Sequence, residues 1–158
     1  MRLLFKQRVF SWLDSYDIFD ESQNVLFSVK GQISFGKCLN VYDAYGSHIG
    51  TLKQKLFAFL PCFEIYEGNN YLGRVSKEFS FLKPRYNIDF CGWHIEGNFF
   101  ECNYTVLDTV GQTVAIVSKE LLNFADTYSI EVFDPDDALN VLMLVLAIDA
   151  EKDNRNNN

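Results

Sequence analysis

The segment Asp134-Pro-Asp-Asp-Ala-Leu-Asn-Val-Leu-Met-Leu-Val-Leu-Ala-Ile-Asp149 constrains this chain more than any other. It reads as one helix in a chain that otherwise reads as strands. Asp134 suits the N-cap, where its carboxylate accepts bonds from free backbone N–H groups. Pro135 suits the first helical position, and Asp136 and Asp137 oppose the positive end of the helix dipole. From Ala138 to Ile148 every residue except Asn140 is apolar. A helix without a polar face is buried on all sides. Within a β protein, that requires a sheet wrapped around it.

The rest of the chain carries an internal period of 23–24 residues. Each unit opens with a β-branched residue, an apolar residue and an acid: Ile18-Phe-Asp20, Val41-Tyr-Asp43, Ile65-Tyr-Glu67 and Val106-Leu-Asp108. Polar and Gly residues follow, which is hairpin-turn chemistry. A second strand with small residues comes next, as in Ile49-Gly-Thr-Leu and Leu72-Gly-Arg-Val. Ten residues after the acid stands Lys30, Lys53, Lys77 or Ser118. Each unit closes on a large residue, a spacer and a β-branched residue, as in Leu39-Asn-Val41 and Phe63-Glu-Ile65. The expectation is a mostly β fold: a closed antiparallel barrel of about twelve strands around the buried C-terminal helix. Residues 1–150 form one domain, and the polar run 151–158 reads as a disordered tail.

Composition narrows the function classes. The net charge of −7 argues against nucleic-acid binding. The charge is uneven, however. Residues 1–85 hold eleven Lys/Arg against eight Asp/Glu, a balance of +3, whereas residues 86–158 hold three against thirteen, a balance of −10. The four cysteines, Cys38, Cys62, Cys91 and Cys102, match no zinc spacing and read as reduced, buried thiols. The N-terminus is too broken by charge for a signal peptide, and no stretch is long enough to span a membrane. A cytoplasmic protein, peripheral to the membrane at most, is expected.

Several elements are familiar in this order. Trp93-His-Ile-Glu-Gly-Asn98 precedes Tyr104-Thr-Val-Leu-Asp-Thr-Val-Gly111. Val114-Ala-Ile-Val-Ser-Lys119, Tyr128-Ser-Ile-Glu-Val132 and the apolar helix follow. The chain resembles the LURP-one-related family, as a bacterial member, in the superfamily of tubby C-terminal domains and phospholipid scramblases. The resemblance implies a roughly twelve-stranded barrel around a central helix. It implies less about activity, since many bacterial members have none assigned. Tubby domains bind phosphoinositides through basic surface residues, and scramblases are membrane-associated.

Catalytic patterns are missing: there is no nucleophile elbow, P-loop or dinucleotide fingerprint. His48 reads as a turn residue and His94 as a strand residue, so no enzyme and no cofactor is expected. Asp134, Asp136 and Asp137 resemble the opening of a calcium loop, but helix capping accounts for them without a metal. The best binding candidate is the basic set Lys53, Lys55, Arg74, Lys77, Lys83 and Arg85. Lys53 and Lys77 hold equivalent repeat positions, so adjacent hairpins are expected to present them side by side. Clustered cations attract phosphate head groups, each worth about 1 kcal/mol at an anionic bilayer. The alternative is a solvated outer barrel face. The apolar run Leu56-Phe-Ala-Phe-Leu-Pro-Cys-Phe63 reads as core, and alternatively as a loop dipping into a membrane interface beside Lys53 and Lys55. The leading function is a module binding anionic phospholipid, phosphoinositide or another phosphate ligand. The runner-up is a scaffold whose barrel exterior docks a protein partner.

Overall fold

The computed structural model describes residues 1–6, 15–32, 34–80, 85–98, 101–122 and 125–156. Its strands are β1 Arg2–Lys6, β2 Ser15–Phe19, β3 Val25–Gln32, β4 Cys38–Asp43, β5 His48–Gln54 and β6 Cys62–Glu67. They continue with β7 Asn70–Glu78, β8 Arg85–Asp89, β9 His94–Asn98, β10 Asn103–Leu107, β11 Thr113–Leu122 and β12 Ala125–Val132. The short 3-10 turn Pro135–Asp137 leads into helix α1, Ala138–Asn156.

All neighbouring strands are antiparallel, and β1 pairs with β12, so one twelve-stranded sheet curls into a nearly closed barrel. Its two edges are β8 and β9, which share no ladder among the described residues. Their connection explains the seam. Phe90 and Trp93 turn inward, 3% and 7% exposed, and meet edge to face with ring centroids 5.8 Å apart. Cys91 and Gly92 between them hold φ of 55° and 69°. The linker plugs that end of the barrel rather than forming a tight hairpin.

The helix fills the lumen. From Val141 to Ile148 no residue is more than 3% exposed. Asp134 caps the preceding turn by accepting Asp136 N–H at 3.0 Å. The small residues of the repeat make the room. A Cβ added at Gly50 would lie 2.7 Å from Met143 Sδ on the helix. At Gly73, φ is +153° and an added Cβ would fall 1.9 Å from the Asp89 carbonyl oxygen, so β8 crosses where only glycine allows it.

The expected tail is corrected. The helix does not stop near residue 150 but runs to Asn156, and Glu151 is 2% exposed. Glu151 and Lys152 are polar because they find partners within the barrel, described below. Replacing Leu142, fully buried on the helix, with Ala is expected to cost about 2–5 kcal/mol in urea unfolding with little change in the slope.

Candidate functional site

The recurring acids build the turns at one end of the barrel. Asp20, Asp43 and Asp108 each accept backbone N–H groups two and four residues on, at 2.8 to 2.9 Å. Three residues after each acid stands a positive-φ residue, Gln23, Gly46 or Gly111, whose N–H bonds the acid's own carbonyl. Side-chain and backbone bonds from Asn24 hold the Asp20 carboxyl below its usual range. These acids are therefore structural. Together with Glu67 and Asp134 they leave the connections at this end acidic and without Lys or Arg; the cations there are Arg2 at the start of β1, 3.3 Å from Glu21, and the N-terminal ammonium, which donates to the Val132 carbonyl.

The third hairpin departs from the pattern. Inward residues are paired nine positions apart in the other hairpins: Ile18 with Phe27, Val41 with Gly50 and Val106 with Ala115. In the third, Ile65 pairs with Gly73, only eight positions on. A one-residue change of register flips every following side chain to the other face. Lys30 and Lys53 thus face outward, Lys30 lying 4.8 Å from the Tyr42 ring centroid, whereas Lys77 faces the lumen.

Inside, Lys77 Nζ lies 3.1 Å from Glu151 Oε1. Tyr86, directly across the ladder from Lys77, donates to Glu151 Oε2 at 2.5 Å. Lys152 beside it donates to Cys102 Sγ at 2.9 Å, and that thiol donates to the Tyr128 hydroxyl at 3.2 Å. Burial and the nearby Asp149 push the Tyr16 and Tyr104 hydroxyls well above their usual range. These groups tie the last turns of the helix to the barrel wall, and the tyrosines stay protonated there.

The side-by-side presentation of Lys53 and Lys77 is accordingly corrected, and the basic set does not converge on one face. Lys53, Glu64, Arg74 and Asp89 stand opposite one another across β5 to β8, a row of alternating charge. Lys55 Nζ approaches Glu64 at 3.6 Å and Arg74 Nε approaches Asp89 at 3.9 Å. Arg85 is exposed at the start of β8, opposite Glu78. Lys83 lies outside the described residues.

The reading of Leu56–Phe63 as core is half corrected. Cys62 and Phe63 are buried, but Leu56, Phe57 and Phe59 are exposed in the β5–β6 loop. Alternation explains Phe63, which faces the lumen; residues 55–61 precede the ladder of β6 and have no inward side. Phe35 in the β3–β4 loop and Phe79 after β7 are exposed as well. Sequence reasoning missed this grouping and the inward Lys77. The missing residue between Glu67 and Gly73 was a legible sign of the latter.

The remaining candidates occupy structural positions. His48 Nε2 lies 2.9 Å from Thr51 Oγ1 on the outer surface, and His94 Nε2 lies 4.0 Å from Glu96. Burial, reinforced by Asp134 and Asp136, raises the Asp137 carboxyl. All four cysteines are free thiols, but Cys91 is exposed rather than buried. Burial pushes the Cys38 and Cys62 thiols up despite nearby cations, which leaves them poor nucleophiles.

A twelve-stranded meander enclosing its own C-terminal helix, with repeat acids in its turns, defines a distinct class of barrel. Residues 1–149 match the family model described as LURP-one-related, and the chain belongs to that family. It is 30% identical over 151 residues to the uncharacterized protein YxjI of Bacillus subtilis (strain 168), covering 94% of this chain and 92% of that one. An X-ray structure of an Arabidopsis thaliana protein shares the fold, with a TM-score of 0.59 and 15% identity, covering 94% of this chain and 90% of that one.

Removing one partner of a buried ion pair strands the other charge. Lys77→Met is therefore expected to destabilise the protein by about 3 kcal/mol in urea unfolding, and Lys77→Met with Glu151→Leu to recover most of the loss. Additive losses in the double variant would show that the two groups act independently.

Proposed function

We propose that this chain is a non-enzymatic binding module for anionic, phosphate-bearing surfaces, with phospholipid head groups as the ligand class. The observation that carries the reading is the segregation of charge along the barrel axis. One end has acids in its turns and no cation in its connections. Lys53 and Lys55 stand exposed toward the other end, with Arg85 at the start of β8. Strands of five to ten residues, at about 3.3 Å each, separate the ends by roughly 20 Å, over twice the screening length of ~8 Å in physiological salt. Lys53, Lys55 and Arg85 are thereby screened from the acids of the far turns, although Glu64 and Glu78 stand across the ladder from them, and the acidic turns are repelled, which orients the molecule.

The pairing of Lys55 with Glu64 does not oppose this reading. An exposed ion pair contributes at most about 1 kcal/mol, so Lys55 can exchange it for a phosphate. Lys77 is not a ligand here, because it serves Glu151. The protein then acts peripherally, on the cytoplasmic face of a membrane; free thiols accord with that compartment. No helix of the described residues is long and apolar enough to cross a bilayer. A second reading, a protein-interaction scaffold, draws on the sheet edges at β8 and β9, where an extended partner segment could add a strand.

Co-sedimentation with phosphatidylglycerol vesicles, with phosphoinositide-containing vesicles and with phosphatidylcholine alone tests the proposal. Binding to the anionic vesicles is expected to fall as salt rises. Lys53→Glu with Lys55→Glu is expected to weaken it by at least about tenfold, since each cation contributes ~1 kcal/mol near such a surface. No sedimentation at low salt, or equal sedimentation by the double variant, overturns the reading in favour of the scaffold.

A further inference from the structure

We infer that the rim formed by residues 34–37, 55–61 and 79–80 is a membrane-inserting anchor, whose aromatic tips enter the interfacial zone of an anionic bilayer. The inference rests on the docking reading above. It adds where the bilayer sits and a second, apolar force that holds it.

Four phenylalanines carry the argument. Phe57 is 105% exposed, Phe59 94%, Phe35 90% and Phe79 68%. Single exposed apolar residues are ordinary, but a contiguous group marks a site of association. These four lie in the segments 34–37, 55–61 and 79–80, which follow β3, β5 and β7 at the same end of an antiparallel meander. The connections are laced together. Lys37 and Gln54 exchange two bonds, Gln54 N–H to the Lys37 carbonyl at 2.8 Å and Lys37 N–H to Gln54 Oε1 at 3.1 Å. Leu56 packs on the Gly36 backbone so closely that an added Cβ would lie 3.0 Å from its Cδ2. Lys77 N–H bonds the Pro61 carbonyl at 3.0 Å. The tips therefore project from a braced rim.

Phe57 bears two costs at once. It stands wholly in water, and its φ of 62° lies in a region that disfavours a bulky side chain. At the acidic end the exposed large residues Met1, Tyr45, Tyr71, Val110 and Phe133 are spread over the chain terminus, the start of β7 and three different connections.

Charge selects the occupant. Lys53 and Lys55 lead into the aromatic tips on the same segment, and the acidic turns lie at the far end. Aromatic side chains at the head-group level beside cations at the phosphates are how interfacial proteins hold an anionic bilayer. A second copy seated tip to tip would bring Lys53 and Lys55 against their own counterparts, which the same charges oppose.

The test separates insertion from charge docking. Ala58, exposed between Phe57 and Phe59, is changed to Cys in a Cys91→Ser background and labelled with an environment-sensitive fluorophore. Phosphatidylglycerol vesicles are expected to shift its emission to the blue, and the label is expected to be shielded from an aqueous quencher. Phe57→Ser with Phe59→Ser is expected to weaken vesicle binding about tenfold, equivalent to ~1.4 kcal/mol, and to remove the part that survives high salt. The Lys53→Glu, Lys55→Glu variant is expected to lose the salt-sensitive part instead. Binding that is abolished by the charge variant yet unchanged by the serine variant, with no spectral shift, overturns insertion and leaves head-group docking standing. No vesicle binding by the wild-type protein overturns both. Serine substitutions that change only the oligomeric state, read by size-exclusion chromatography, overturn insertion and make a second copy the occupant.

Discussion

A helix that is apolar all round must be walled in on every side, and the rest of this molecule answers to that requirement. Twelve strands supply the wall. Gly50 yields space to Met143, and Phe90 and Trp93 close the end near the helix start. At the other end the helix turns polar, and a purely apolar wall would leave Glu151 with a stranded charge. Lys77 and Tyr86 prevent that. The barrel is therefore lined to match its helix: apolar along most of its length, with cation and hydroxyl partners where the helix carries its acid.

The match depends on one residue of spacing. Hairpins built on Asp20, Asp43 and Asp108 share a turn and place the position ten residues later on the outer face. The hairpin built on Glu67 is a residue shorter, so its lysine enters the lumen. What looks in the sequence like a repeated surface cation is, in one copy, an interior partner for the helix. That shifts the functional weight from a cluster of lysines to the division between the two ends of the barrel.

Much of the fold was legible because burial leaves periodic traces. The capped apolar helix demanded enclosure, the acid-led repeat gave the hairpins, and of the small residues in their second strands Gly50 faces the helix while Gly73 admits the β8 backbone. Four features were not. The helix continues past its apolar run because Glu151 and Lys152, which look solvent-facing in the sequence, have partners far away in the chain. Lys77 reads as a surface residue by repeat equivalence, and only the shorter register reveals it as an interior one. The segment from Leu56 to Phe59 reads first as core and only alternatively as a loop, because apolar composition alone does not distinguish a strand facing a lumen from a loop facing outward. The seam between β8 and β9 had no trace beyond a connector rich in aromatics.

The resulting molecule is polar along its axis, with acid-built turns at one end and a braced aromatic rim beside cations at the other. Family membership settles the scaffold and leaves the ligand open. Amide hydrogen exchange in the presence and absence of phosphatidylglycerol vesicles tests the account most directly, because it reports on both ends at once. Slower exchange across residues 34–37, 55–61 and 79–80, with the turns at 20–24, 43–47 and 108–112 unchanged, is the predicted result. Protection of the acidic turns, or unchanged exchange along the rim, would contradict it.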